Sequence, residues 1–273
     1  MSLDSTAMDG PSLEKASDAI HVLLNQYQDQ VVPGLAYLQD PEQRIVELAM
    51  ATRSVSLVEA ALTLAEDGFG RETMMLNRPL FELMLDAYWA SIDTEHAREM
   101  FLSHARYTQH LQKQTFRRYP ELGVDVHEEM LPPDEFERSR KLFGRYASRS
   151  WTGLSLSARV EIFEQKLDVR NRRELRFVFE ILHDLSNAEI HPSSWSLSRA
   201  LRVIPTDDGD RFLQIRSGPE PELASFALTH TWWIFVRLLN GMHFLTEVST
   251  DSLQAAVDVG SELLELDSPD EGT

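Results

Sequence analysis

The chain has no cysteine. That excludes a disulfide scaffold, a thiolate zinc site, a cysteine nucleophile and an iron–sulfur cluster. Positive charge is also scarce, 26 Lys and Arg against 44 Asp and Glu, for a net charge of -18. Phosphate would repel such a chain, so constitutive DNA binding is excluded and a cytoplasmic protein is expected. Residues 1–11 lack both a basic start and an apolar core, so they are not a signal peptide and are expected to form a disordered leader. The most apolar stretch, Leu223 to Leu245, is long enough to span a bilayer. It carries His230, Arg237, Asn240 and His243, however, and an arginine near the middle of a spanning helix costs about 2.5–3.5 kcal/mol. A buried central helix is the better reading, and no membrane association is expected.

What the 273 residues do contain is an ordinary apolar share, 42%, enough for a real core. Apolar residues recur in steps of three and four through most of the length, which predicts helices. The expected spans are Leu13 to Gln30, with Pro33–Gly34 as a stop, then Pro41 to Asp67, Arg71 to Ile92, Thr94 to Arg118, Asp134 to Tyr146, Ser157 to Leu167, and Asn171 to Ile190. Leu223 to Leu245 and Asp251 to Leu266 complete the set. Pro79 inside the third of these predicts a kink or a delayed start. One segment alternates instead: Leu201 to Ile204 and Arg211 to Ile215 flank turn residues around Asp208–Gly209, a small β-hairpin pattern. No internal repeat or linker is visible. The fold expected is all-α, a helical bundle with a small β-hairpin insert near residues 201–215. It forms one domain over residues 12–267, followed by an acidic tail at 268–273.

Charge is uneven along the chain. Arg138 to Arg176 holds eleven basic residues and four acidic ones, with Phe143, Tyr146 and Trp151 among them. Arginine forks beside aromatic faces suit phosphates and bases, which makes Arg170, Arg172 and Arg173 candidate contacts to RNA or a small anion. The same segment could instead dock on the acidic remainder of the chain.

Metal chemistry has little support. His183, Asn187 and His191 share a helix stripe, but eight residues rise about 12 Å, too far for two imidazoles to meet on one ion. A single Glu-x-x-His match, Glu180 to His183, is half of what a di-iron bundle requires. No metal or cofactor is therefore expected. Arg98 with His104 has the arginine-then-histidine spacing of HEPN-type ribonucleases, in which arginine stabilises phosphate charge and histidine moves a proton. The sequence holds two further pairs of this spacing, Arg176 with His183 and Arg237 with His243, close to the number that chance supplies. Arg78 and Glu82 stand four apart and can pair, and Asp86 continues their stripe in apolar surroundings. Charges on an apolar face form either a tie between helices or the floor of a polar site. His191 ends a helix before Pro192, where the helix dipole favours its protonated form. It reads either as a cap on backbone carbonyls or as a cleft residue, with Asn187 one turn behind, and Arg78, Glu82 and His191 are expected to converge.

Three segments together carry a resemblance. Arg78-Pro79-Leu80-Phe81-Glu82, then Trp151-Thr152-Gly153, then Leu185-Ser186 leading to His191-Pro192-Ser193, resemble the bacterial domain-of-unknown-function family 5677, over roughly Ile45 to Leu245. The resemblance implies a helical protein similar in build to HEPN-type proteins of bacterial stress and phage-defence loci, and it adds Ser186 and Trp151 to the candidate binding residues. Two function classes follow. One is a non-catalytic module that binds a protein partner, a second copy of itself or a small anion. The other is a metal-independent ribonuclease with Arg98 and His104, or Arg78, Glu82 and His191, as its catalytic groups.

Overall fold

The computed structural model describes residues 11–38, 40, 42, 44–119, 121, 130–143, 150–190, 201–205, 211–215, 220–242 and 251–265; at 182–190, 201–205, 211–215 and 252 it describes the backbone alone. The expected leader and acidic tail lie almost wholly outside these residues. The described residues are overwhelmingly helical. The helices are α1 (Leu13–Gln26), α2 (Ile45–Glu66), α3 (Gly70–Ala90), α4 (Thr94–Arg118), α5 (Pro133–Phe143), α6 (Leu156–Glu164), α7 (Val169–Ile190), α8 (Pro221–Asn240) and α9 (Asp251–Leu263). Strands β1 (Leu201–Pro205) and β2 (Arg211–Ile215) pair antiparallel, with Leu201 opposite Ile215 and Pro205 opposite Arg211.

Local chemistry explains several boundaries. Ser12 accepts from the Lys15 N–H at 3.2 Å and starts α1, and Asp93 does the same for α4 through His96. The expected stop at Pro33–Gly34 is displaced. The chain widens into a π turn at Tyr27–Val31 and stays helical through Val32–Gly34 before a 3-10 turn at Leu35–Tyr37. Pro33 falls at the start of the Val32–Gly34 segment, directly after the π turn, and the chain accommodates it there without leaving the helix. Nor does Pro79 delay α3, which begins nine residues earlier at Gly70 and continues through it.

Helix α3 is the hub, packing on α2, α4, α6, α7 and α8. Its buried residues, among them Met74, Leu80, Phe81, Met84, Leu85 and Ala87, point to several sides, as a helix surrounded by others requires. Helix α8 is its principal neighbour. Gly70 makes that approach possible: a Cβ there would stand 2.4 Å from the Ala224 backbone nitrogen. The pair is also tied by polar groups. Asn77 donates to the Ala227 carbonyl at 2.7 Å and accepts from the Thr231 hydroxyl at 2.6 Å, and Arg71 donates to Glu220 at 2.6 Å. Helix α9 closes against α1 and α8, with Gly260 pressed on the Trp232 indole. No described helix is long and apolar enough to cross a membrane.

Candidate functional site

The site is built by a short junction and the helix it launches. Between Ser150 and Leu154 the hydroxyls hold the backbone: Ser150 and Thr152 are 2.7 Å apart, the Thr152 N–H donates to Ser150 at 3.3 Å, and the Leu154 N–H donates to Thr152 at 3.2 Å. Gly153 takes the left-handed conformation (φ 71°) that lets the chain turn there. The turn places Trp151 in the core, edge-on to Trp89 and Phe101 at 5.2 and 5.6 Å. Ser155 then caps α6 by accepting from the Ala158 N–H at 3.2 Å. Leu156, Arg159, Val160 and Phe163 follow at helical spacing and turn toward the core, so an arginine enters on an apolar stripe.

Arg159 reaches α3 and clasps two carboxylates. Its Nη1 donates to Asp86 Oδ1 at 2.6 Å and to the Glu82 carbonyl at 3.4 Å, and its Nη2 donates to Glu82 Oε2 at 3.1 Å. The second oxygen of Asp86 accepts from the Trp151 indole at 2.8 Å. Glu82 continues outward to Arg78, whose Nε stands 3.6 Å from Glu82 Oε1. The Arg159 and Asp86 side chains are only 3% and 8% exposed, whereas Glu82 is 29% exposed. The network therefore runs from a dry interior to a wet edge. Burial pushes the Asp86 carboxyl up to about 6, against Arg159 and Trp151, which lower it. For Arg159, burial opposes the charge, but Asp86 and Glu82 outweigh it and the guanidinium is held above its ordinary value.

Beside the clasp lies an open cleft of about 350 Å³ between α2 and α3. Arg53 and Leu57 line it from α2; Arg78, Pro79, Glu82, Leu83 and Asp86 line it from one face of α3. Arg53 is exposed and makes no ion pair among the described residues. The described lining has no hydroxyl, imidazole or amine. Among the described residues no group of His, Asp and Glu is placed to hold a metal ion.

Of the residues singled out in the sequence, Arg78, Glu82 and Trp151 meet in this region. Asp86, noted only as continuing their stripe, proves to be the centre of the clasp. Ser186 and Asn187 lie on α7, a neighbour of α3, but their side chains fall outside the described residues, as does all of His191. The expected convergence on His191 thus lies outside them too. Arg98 bridges Glu95 at 2.6 Å, and the His104 ring stands edge-on to Phe143 at 4.9 Å. In the basic segment many arginines already have partners: Arg140 with Glu137, Arg170 with Glu174, Arg176 with Glu164, and Arg172 with the Leu167 carbonyl. Arg173 is exposed. Sequence reasoning missed Arg159 and Arg53. The signal for Arg159 was present: one cation at the apolar spacing of Leu156, Val160 and Phe163.

The profile of a family of unknown function, DUF5677, matches residues 44–210. That is more than half of the chain, and the chain belongs to this family. The match takes in α2, α3, the Trp151 junction and α6, hence the clasp and the cleft together. Comparison with curated proteins and with solved structures finds no match.

Proposed function

We propose that the chain is a non-catalytic binding module of a bacterial stress or phage-defence system, acting in the cytoplasm, and that its binding site is the α2–α3 cleft. One observation carries this reading: in the described lining of the cleft the groups able to move a proton are engaged, while Arg53, able to bind, has no ion pair among the described residues. Both oxygens of Asp86 accept hydrogen bonds from Arg159 and Trp151, and Glu82 is shared between Arg159 and Arg78. A general acid or base must reach the proton it transfers; Asp86 has both oxygens bonded within the protein, and Glu82, though it reaches the cleft, is held between two guanidiniums. Arg53 stands exposed at the same cleft. The clasp then serves to fix α6 and α3 behind the cleft. The stress or defence setting rests on the family resemblance of the sequence motifs.

A ribonuclease of HEPN type is the competing class, with Arg98 and His104 as its groups. Six residues apart on α4, they project about 120° apart and about 9 Å along the axis, and Arg98 is bridged to Glu95. Incubating the purified chain with single-stranded RNA in the presence of a chelator separates the two. Intact RNA, together with saturable binding of a ligand that depends on Arg53, is the expected result. Cleavage that disappears in His104→Ala would overturn the proposal.

A further inference from the structure

We propose that the α2–α3 cleft takes a compact organic oxyanion, its phosphate or carboxylate head held by Arg53 and Arg78 and its apolar body lying on Leu57, Pro79 and Leu83. This rests on the cleft being the binding site and adds the class of ligand.

Size comes first. About 350 Å³ lies at the small end of ligand pockets, room for a metabolite-sized molecule. A helix about 10–12 Å across does not enter such a space. Charge comes second. Three guanidiniums stand against two carboxylates: Arg159 and Arg78 at Glu82 and Asp86, and Arg53 on the α2 side of the same cleft. Arg159 engages both carboxylates and Arg78 stands beside Glu82, so a ligand cation would have to settle among guanidiniums that already balance that charge. A ligand anion meets Arg53, which has no ion pair among the described residues. Guanidinium forks match the planar or tetrahedral oxygens of carboxylate and phosphate.

The surface between the charges comes third. Leu57 is buried and Leu83 packs against the core, while Pro79 presents a ring and has no N–H. An apolar body covers these groups without stranding a donor. The whole-chain charge of -18 then selects against long anions. A polyanion such as RNA is repelled along its length, whereas a single head group feels chiefly the local guanidiniums.

The test is calorimetric titration of the full chain with three probes that share a phenyl body: phenyl phosphate, phenylacetate and phenethylamine. Phenyl phosphate, phenylacetate or both bind one-to-one, the stronger identifying the head group, and phenethylamine does not bind. Arg53→Ala weakens anion binding at least tenfold; Arg106→Ala, at an ion pair on α4, leaves it unchanged. Circular dichroism confirms that Arg53→Ala, a change at an exposed position, remains folded. If neither anion binds, the ligand class is wrong. If phenethylamine or a single-stranded RNA binds instead and Arg53→Glu alters that binding, the cleft stands as the site and the oxyanion falls. If the anions bind with equal affinity to wild type and Arg53→Ala, both the ligand assignment and the cleft are overturned.

Discussion

Replacing Arg159 with methionine isolates the clasp. Methionine suits the apolar stripe of Leu156, Val160 and Phe163, so the change removes the guanidinium and leaves Asp86 buried without its cation. Glu82, partly exposed and beside Arg78, still has a partner. Breaking one side of a buried ion pair costs about 3–5 kcal/mol, a large part of a total stability of about 5–15 kcal/mol. Asp86 has one escape, which is to take up a proton. Its carboxyl already sits at about 6 with Arg159 present, and burial unopposed by Arg159 pushes it higher. The penalty should therefore shrink by about 1.4 kcal/mol per unit as pH falls through the range where the carboxylate would otherwise stay charged. Combining Arg159→Met with Asp86→Asn should recover most of the loss, because a neutral amide oxygen can still accept from the Trp151 indole. Urea unfolding followed by tryptophan fluorescence at pH 5 and 7.5 gives these free energies. A loss below about 1 kcal/mol at pH 7.5, or an equal loss at both pH values, would refute the reasoning.

The raised Asp86 pKa makes a prediction for the wild type. A carboxyl that holds its proton more tightly when folded contributes stability below its unfolded value of 3.8, and that contribution is lost as pH rises through about 6. Relative to Asp86→Asn, wild type should lose up to about 3 kcal/mol between pH 4 and 7; a constant difference between the two would contradict this. Gly70→Ala sets a Cβ 2.4 Å from the Ala224 backbone nitrogen and should lower stability by about 3 kcal/mol or more, since neither helix backbone can yield locally. Gly260→Ala meets the Trp232 indole at 2.6 Å and should cost less, about 1–3 kcal/mol, with a shift in tryptophan emission; unchanged melting in either variant would count against the packing. Asn77→Ala removes two buried hydrogen bonds between α3 and α8 and should cost about 1–3 kcal/mol by denaturant unfolding; a neutral result would show the tie to be dispensable.

The helices were legible because their signals are local. Asp93 before α4 and the Arg78–Glu82 spacing on α3 each rest on residues three or four apart. The π turn at Tyr27–Val31 was not legible, since proline looks like a stop unless the turn before it is known to widen. Half of the site was visible in the same way: Arg78, Glu82 and Asp86 form one stripe of one helix. The partner that organises them lay in the basic segment, for which docking on the acidic remainder was one reading, but that reading did not single out Arg159. Arg159 lies 73 residues from Asp86, and Trp151 lies 65 away. Tertiary packing, not local spacing, chooses among the arginines of that segment. Arg53 carries no local mark either, and acquires meaning only when α2 is laid beside α3.

Arginine-selective labelling with phenylglyoxal, read residue by residue by mass spectrometry, tests the cleft most directly. In the free chain Arg53, exposed, should react readily and Arg159, buried, should not. Saturation with the tighter-binding of phenyl phosphate and phenylacetate should protect Arg53 while exposed Arg173 continues to react. Labelling of Arg53 at an unchanged rate in the saturated protein would contradict the assignment of the α2–α3 cleft as the binding site.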